Sequence, residues 1–232
     1  MKPEFLISTC DRFVVGRYLC GPSVSEMAES IGTANAAEDR TKRALDFACS
    51  AMLLVLLSPL FLIVALAIKA EGDGPIFFKQ RRAGLGGKVF LIYKFRSMNV
   101  VENGAKIAHA TKNDQRVTRV GAFIRSTSID ELPQLINVLR SEMSLIGPRP
   151  HALAHDSLYR SLLPTYQWRF RARPGLTGLA QVRGLRGEIH TLDDMDKRVA
   201  ADREYAENWS LLLDLGIALK TIPCLLTDKA AY

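Results

Sequence analysis

The sequence predicts a mixed α/β fold in which a small basic body is attached to an apolar helix. An uncharged run of 22 residues, Phe47–Ile68, provides the helix. Strand-like and helix-like hydrophobic patterns follow it, as expected for a mixed α/β body. The excess positive charge also follows it: residues 73–232 hold 24 basic and 16 acidic residues, whereas residues 1–72 hold 7 and 8.

The composition of the 232 residues excludes several classes of protein. A hydrophobic share of 48 % excludes a chain that is disordered throughout, and four widely spaced cysteines exclude a disulfide scaffold. A polytopic membrane protein is excluded because the chain has one long uncharged run. The net charge of +7 favours a partner that carries phosphate groups, namely nucleic acid, a nucleotide or an anionic lipid.

Three segments follow from these patterns. Residues 1–40 lack a sustained hydrophobic period and are expected to form a poorly ordered tail, with a short helix near Val24–Ile31. The tail does not have the basic start, apolar core and cleavage site of a signal peptide. Residues 41–72 contain the apolar helix, and residues 73–232 form the body.

The apolar run Phe47–Ile68 is long enough, at about 1.5 Å per residue, to cross the hydrocarbon core of a bilayer. Ser58-Pro59 interrupts its middle, where proline removes a backbone hydrogen bond. The residues alone leave two arrangements open: a kinked helix that spans the membrane, and a re-entrant helix that returns to the face it entered. Basic residues flank both ends, at Arg40–Arg43 and at Lys69, which favours the return.

The body begins with two predicted strands, Ile76–Arg82 and Lys88–Met98, joined by a hairpin at Gly84–Gly87. Residues 99–118 are polar and are predicted to form a loop. An amphipathic helix is predicted over Asp130–Met143, because five of its apolar residues fall on one stripe. They are Leu132, Leu135, Ile136, Leu139 and Met143.

Three further helices complete the predicted body. One covers residues 151–170 and precedes a glycine-rich stretch, and a charged helix covers Asp193–Asn208. The apolar stretch Trp209–Leu226 contains two charges and a proline, so it is too interrupted to span a membrane. It fits either a helix on a membrane surface or a helix packed against the body.

The most suggestive polar cluster is Asp130-Glu131 at the start of the amphipathic helix. Acidic residues are common there because they cap the helix and interact favourably with its dipole. The same dipole is expected to lower the pKa of Asp130. Here, however, Arg125 lies five residues upstream, and Arg149 follows the helix between two prolines in Gly147–Pro150. A carboxylate pair among arginines can hold Mg²⁺ and phosphate together.

Arginine usage supports phosphate recognition in the body. Between Asn113 and Asp196 the chain has 11 arginines and no lysine. The planar guanidinium of arginine binds phosphate through two parallel hydrogen bonds, whereas lysine acts as a point charge. A coding bias toward arginine is the alternative explanation, and the lysines elsewhere in the chain weigh against it.

Several segments together resemble the monotopic phosphoglycosyl transferases, bacterial enzymes that initiate polysaccharide assembly on a polyprenol carrier. The resemblance covers residues 40 to about 226. Each segment is short, but the combination is specific. The segments that carry it are Lys42–Asp46 with Ser58-Pro59, Gly74–Gln80, Tyr93–Met98, Arg125–Pro133, Met143–Pro150 and Arg173–Val182.

The resemblance implies the transfer of a hexose-1-phosphate from a UDP-sugar to undecaprenyl phosphate, with release of UMP. Asp130 falls on the family's nucleophile, which forms a covalent phosphosugar intermediate, and Glu131 is implied to bind the cofactor Mg²⁺ together with Asp130. The glycine-rich stretch Gly178–Glu188 looks like the exopolysaccharide-initiating branch, which uses UDP-glucose or UDP-galactose. The residues implied to bind substrate phosphate are Lys94, Arg96, Arg125, Arg149 and Arg173.

The resemblance also implies a monotopic membrane protein. A small cytoplasmic catalytic body with amphipathic interface helices would sit on an N-terminal re-entrant membrane helix, broken at Ser58-Pro59. This arrangement places the protein at the cytoplasmic face of the bacterial inner membrane. Membrane lipid is then an expected partner, and nucleic acid is not. A homo-oligomer is an option. Larger relatives carry a long N-terminal membrane portion that this sequence lacks, so a minimal catalytic form is expected.

Two other classes of function compete with an enzyme. A catalytically inert membrane-bound scaffold would use the same basic face, but the intact pair Asp130-Glu131 with Arg125 and Arg149 disfavours it. A membrane-anchored nucleic-acid binder would interleave aromatic and basic side chains, and an aromatic share of 8 % without such a pattern disfavours it.

Overall fold

The computed structural model describes residues 35–99, 114–187, 189 and 191–227 and has the predicted mixed α/β architecture. The predicted helix near Val24–Ile31 and most of the predicted loop over residues 99–118 lie outside the described residues. The first helices are α1 (Asn35–Glu38), α2 (Arg40–Leu56) and α3 (Ser58–Glu71). The body consists of β1 (Phe77–Ala83), β2 (Val89–Phe95), α4 (Arg119–Ser126), α5 (Gln134–Leu139), β3 (Ser144–Ile146), α6 (Leu153–Leu162), β4 (Gly175–Thr177), α7 (Leu179–Val182), α8 (Leu192–Glu207) and α9 (Leu211–Thr227).

Helices α2 and α3 form a bent pair, broken where the sequence predicts a break. Leu57 separates them, and Pro59 lies in the first turn of α3, where its missing N–H group has no helical partner to lose. The hydroxyl of Ser58 donates a hydrogen bond to the carbonyl of Val55 at 2.8 Å. Within the described ranges no single helix is long and apolar enough to cross a membrane, and these two meet that requirement only as a pair bent by 60°.

The first turns of α2 are bound to the body by buried polar contacts. Lys42 forms an ion pair with Asp214 of α9, with 2.6 Å between Nζ and Oδ2. One carboxylate oxygen of Asp46 accepts a hydrogen bond from the hydroxyl of Ser144 at 2.7 Å, and the other accepts one from the backbone N–H of Leu145 at 3.1 Å. The base of the apolar helix is therefore fixed to both β3 and the last helix.

Strands β1 and β2 form the predicted antiparallel hairpin, with Phe77 opposite Phe95 and Ala83 opposite Val89. A 3-10 turn over Leu85–Gly87 joins them, close to the predicted hairpin position. Asn137 of α5 covers the free edge of β2, since its side chain accepts a hydrogen bond from the N–H of Tyr93 and donates one to the carbonyl of Leu91. This amide substitutes for a third strand and places α5 against the hairpin.

The predicted continuous helix over Asp130–Met143 is wrong. A 3-10 turn covers Ile129–Glu131, α5 is six residues long, and the chain then enters β3, which pairs in parallel with β4. The backbone turns at both ends, because Ser128 and Ser141 adopt positive φ angles of 58° and 64°. Apolar spacing alone does not report these turns, since serine is not a typical residue for them.

The predicted helix over residues 151–170 is also divided, into α6 and a 3-10 helix over Pro164–Arg171. Leu163 lies between them with an extended backbone, φ −126° and ψ 104°, as expected for a residue before proline. The predicted charged helix is confirmed as α8, which begins with a capping box formed by Thr191 and Asp194.

Helix α9 packs against the body, which is one of the two arrangements that its sequence left open. One side packs on the body, where Ile217 is buried and Asp214 accepts hydrogen bonds from the hydroxyl of Tyr205 and the indole N–H of Trp209. The other side carries exposed apolar residues, among them Leu212, Leu215, Leu219 and Ile222.

Candidate active site

The acidic pair lies on the 3-10 turn Ile129–Glu131, directly after Ser128 with its positive φ angle. The two side chains have different surroundings. The Asp130 residue is 9 % exposed, and among the described residues no side chain donates a hydrogen bond to its carboxylate. The Glu131 carboxylate, in contrast, is fully engaged by two cations.

Glu131 forms a three-member ion cluster with Lys94 of β2 and Arg149. The ammonium of Lys94 lies 2.7 Å from Oε1, and the guanidinium of Arg149 donates to both carboxylate oxygens, with 2.9 Å between Nη1 and Oε2. Burial alone would raise the pKa of Glu131, but the charges of Arg149 and Lys94 outweigh it and hold this pKa well below its usual range. Glu131 is therefore ionised throughout the physiological pH range.

The expectation that the pKa of Asp130 is lowered is wrong. Burial raises it to about 6, and the neighbouring charge of Glu131 adds to that effect, while Lys94 acts in the opposite direction. The physical reason is that Asp130 lies on a short 3-10 turn and not at the start of an α-helix, so no helix dipole offsets its burial. Asp130 therefore titrates close to neutrality, unlike Glu131.

The turn Gly147–Pro150, which carries Arg149, is held in place by hydrogen bonds to its backbone. The backbone carbonyl of Arg149 accepts a hydrogen bond from Arg169, and the next carbonyl, of Pro150, accepts one from Arg82 at 3.1 Å. Arg169 in turn forms a buried ion pair with Asp202 of α8, at 2.7 Å. The side chain of Arg149 thus contacts Glu131, while the backbone of the turn is linked to α8 through Arg169.

The glycine-rich stretch packs closely on this turn. A Cβ atom added to Gly175 would lie 2.1 Å from the backbone nitrogen of Gly147, and one added to Gly178 would lie 2.2 Å from its carbonyl oxygen. The backbone N–H of Gly147 donates a hydrogen bond to the carbonyl of Thr177 at 2.9 Å. Glycine at these positions is therefore required by the approach of β3 and β4.

Three of the arginines implied to bind phosphate lie outside the ion cluster. Arg125 is close enough to Asp130 for its charge to lower the pKa of that carboxyl group. Arg96 is buried and donates to the carbonyls of Ile68, Gly72 and Asp73 at the end of α3. Arg173 donates to the carbonyls of Ser141 and Ala37. The structure thus brings together Asp130, Glu131, Lys94 and Arg149, with Arg125 nearby, and gives Arg96 and Arg173 backbone partners.

Arg82, Arg169 and Asp202 are supporting residues that the sequence reasoning did not identify. Arg169 belongs to the lysine-free stretch and Asp202 to the charged helix, but a linear pattern does not show that the two meet across 33 residues. Only their arrangement in space connects them to Arg149.

Mg²⁺, the cofactor that the resemblance implies, fits this site only together with a substrate. In the part of the chain that the structure describes, no three His, Cys, Asp or Glu side chains are grouped to bind a metal ion. Asp130 and Glu131 supply two carboxylates, and both oxygens of Glu131 already accept hydrogen bonds. A Mg²⁺ ion that is bound through one or two carboxylates takes its other ligands from water and substrate phosphates. Asp130 and Glu131 allow Mg²⁺ to bind in this way.

Comparison with known families decides the class of this site. The family model described as bacterial sugar transferase matches residues 37–228, which include every residue of the ion cluster. The chain belongs to the bacterial sugar transferase family. The carboxylate pair and its lysine and arginine partners therefore lie within the part of the chain that matches this family.

Named relatives of this sugar transferase are similar over most of the chain. A UDP-glucose:undecaprenyl-phosphate glucose-1-phosphate transferase of Caulobacter vibrioides is 56 % identical over 84 % of this chain and 73 % of the relative. A protein of the same name from Klebsiella pneumoniae is 50 % identical over 82 % of the chain, which spans only 41 % of that relative. The exopolysaccharide production protein PSS of Rhizobium leguminosarum is 45 % identical over 82 % of the chain and 98 % of the relative.

Proposed function

We propose that this sugar transferase moves glucose-1-phosphate from UDP-glucose to undecaprenyl phosphate, releases UMP and thereby initiates an exopolysaccharide. The names of the relatives from Caulobacter vibrioides and Rhizobium leguminosarum support this donor, acceptor and product. The observation that carries the proposal is the pairing of Asp130, whose carboxylate accepts no side-chain hydrogen bond within the described residues, with the ion cluster of Glu131, Lys94 and Arg149. That arrangement presents a nucleophile beside fixed positive charge.

The proposed reaction has two displacements at one phosphorus atom. A carboxylate oxygen of Asp130 attacks the phosphorus next to glucose, and the bond to the bridging oxygen breaks, so that UMP leaves with the bond's electron pair. An oxygen of undecaprenyl phosphate then attacks the same phosphorus and displaces the Asp130 carboxylate. The second step forms the lipid diphosphate sugar and regenerates the enzyme.

The ion cluster would stabilise the charge that develops on the phosphate oxygens. Lys94 and Arg149 are preorganised by Glu131, so they need little reorganisation when the diphosphate arrives. Arg125 adds a further positive charge near Asp130. Mg²⁺, held by Asp130 and Glu131 together with substrate phosphate, would supply further charge neutralisation.

The reaction is tested by measuring UMP release from a panel of UDP-sugars with undecaprenyl phosphate as acceptor. UDP-glucose is expected to give the highest kcat/KM. Asp130→Asn is expected to abolish release and to prevent labelling of the protein by UDP-[¹⁴C]glucose when the acceptor is omitted. Retained turnover in that variant would remove Asp130 as the nucleophile, and full activity in EDTA would remove the role of Mg²⁺.

The bent pair α2–α3 is proposed to enter one leaflet from the cytoplasmic face and to return to that face. Its outer surface carries exposed apolar residues, including Val55, Leu62 and Leu66, which are 76 %, 61 % and 62 % exposed. The exposed side of α9 would lie on the same lipid surface. Single cysteines at Arg40 and Glu71, in a variant without native cysteines, are expected to be labelled from the cytoplasmic side alone; labelling of the two from opposite sides would mean a spanning helix.

A further inference from the structure

The turn that carries Asp130 is contacted by Arg186, to which the resemblance gives no role. The guanidinium Nη2 of Arg186 donates a hydrogen bond of 2.8 Å to the hydroxyl of Ser128. Ser128 lies two residues before Asp130 and has the positive φ angle at which the chain enters the 3-10 turn. Arg186 is half-buried, so its side chain reaches the edge of the site from a different part of the chain.

The segment of residues 183–187 that carries Arg186 is held by α8. Arg183 forms two hydrogen bonds of 2.6 Å to the carboxylate of Glu204, and Arg198 donates to the carbonyl of Gly187. Both ends of the segment are thereby fixed on one side. The side chain of Arg186 extends from this support to the hydroxyl of Ser128, two residues before Asp130.

The charge on Arg186 is less committed than the charges on Lys94 and Arg149. Lys94 and Arg149 are both engaged by the carboxylate of Glu131. Within residues 35–99, 114–187, 189 and 191–227, Arg186 takes part in no ion pair, and its hydrogen-bond partner is a neutral hydroxyl. A hydrogen bond between an arginine and a phosphate oxygen is charge-assisted and roughly twice as strong as one between neutral groups, so a phosphate would displace Ser128 from Arg186.

We propose that Arg186 is a substrate-binding residue, which exchanges the hydroxyl of Ser128 for a phosphoryl oxygen of a substrate. The inference rests on the proposed function, because that function brings a diphosphate and a lipid phosphate to the acidic pair. Both substrates present the same chemistry to a guanidinium.

The test compares two variants that break the same hydrogen bond from its two ends. Arg186→Met removes the cation, whereas Ser128→Ala removes only the neutral partner. We expect Arg186→Met to raise the KM of one substrate by about ten- to a hundredfold, the loss expected for a charge-assisted hydrogen bond, and Ser128→Ala to stay within about twofold of the wild type. Arg186→Lys should recover part of the loss, and Arg203→Met serves as the control, because Arg203 is exposed on α8 and pairs with Glu207.

The KM values also identify which phosphate Arg186 binds. A rise confined to UDP-glucose assigns the nucleotide sugar, and a rise confined to undecaprenyl phosphate assigns the lipid. Equal effects of Arg186→Met and Ser128→Ala would overturn the inference, since a merely structural hydrogen bond is lost equally in both.

A binding measurement keeps the inference separate from the proposed function. Inorganic diphosphate is titrated into the full-length protein and its variants by calorimetry. If the wild type released no UMP from any UDP-sugar, the proposed function would fail, and the inference would then depend on this titration. About tenfold weaker diphosphate binding by Arg186→Met than by Ser128→Ala supports it, and equal binding overturns it.

Discussion

The adjacent carboxylates Asp130 and Glu131 are expected to affect the stability of the protein with opposite signs. Asp130 is ionised at pH 8 although its pKa is raised from 3.8 to about 6. Each pKa unit corresponds to about 1.4 kcal/mol, so ionisation of Asp130 costs the folded state roughly 3 kcal/mol at pH 8. Asp130→Asn removes this charge and should therefore stabilise the protein while it abolishes turnover.

The stabilisation by Asp130→Asn should depend on pH in a defined way. A carboxyl group whose pKa is raised on folding contributes stability below its unfolded pKa, and this contribution is lost as the pH rises through the folded pKa. The gain from the variant is thus absent near pH 4, grows through pH 6 and is complete at pH 8. For a chain of this size, about 3 kcal/mol corresponds to a rise in Tm of about 5–10 °C.

The measurement is thermal unfolding of the purified proteins in one detergent at pH 4.5, 6 and 8, with Glu131→Gln as the matched variant. Glu131→Gln leaves Lys94 and Arg149 without their carboxylate and should cost roughly 2 kcal/mol or more at pH 8, because a buried ion pair is broken from one side. A Tm change for Asp130→Asn that is negative, or that is the same at all three pH values, would refute the reasoning.

Three further predictions concern turnover. The kcat/KM for UDP-glucose should rise between pH 5 and pH 7 with a midpoint at about 6, because Asp130 must be ionised to attack; a flat profile of initial rates of UMP release contradicts this. Arg149→Lys should lower kcat by about tenfold or more, because an ammonium cannot bind the Glu131 carboxylate and a phosphate through a planar fork; steady-state rates comparable to the wild type contradict it. Asp202→Asn should lower kcat in the wild-type background and leave it unchanged in Arg149→Met, since Asp202 acts through Arg149; additive losses in this double-mutant cycle would assign it a general structural role.

The elements that the sequence predicted correctly are those whose signals are local. The hairpin β1–β2 has a glycine turn between two apolar strands, and α8 has a capping residue followed by a charged helical face. The bend between α2 and α3 follows from Pro59, whose effect on backbone hydrogen bonding does not depend on its surroundings. Such features are determined within a few residues and are therefore visible in the linear pattern.

The division of the predicted helix Asp130–Met143 was not predictable in the same way. Its apolar stripe correctly indicates which residues are buried, since Leu135 and Met143 are both in the core. The conformation is determined instead by distant contacts, among them the parallel pairing of Ser144 with Gly175. Pairing between residues so far apart in sequence has no signature in a periodic pattern, so tertiary structure overrode the helical period.

Within the site, the sequence predicted the residues whose own type carries the chemistry. It did not predict the residues that hold them in position. The acidic pair and Arg149 stood out by residue type and by the prolines around Arg149. Arg169 and Asp202 acquire their role only because the guanidinium of Arg169 and the carboxylate of Asp202, which come from two helices, meet behind the turn. The same holds for the raised pKa of Asp130, which depends on burial that no local feature of the sequence reports.

The different surroundings of the two neighbouring carboxylates also support the division of roles that we propose for them. A nucleophile must offer a free lone pair to phosphorus, and both oxygens of Glu131 are occupied by Lys94 and Arg149. The raised pKa of Asp130 means that its carboxylate is poorly stabilised where it lies, so it gains more from bonding to an electrophile than a well-solvated carboxylate would. The same environment that lowers the stability of the fold therefore favours Asp130 over Glu131 as the attacking group.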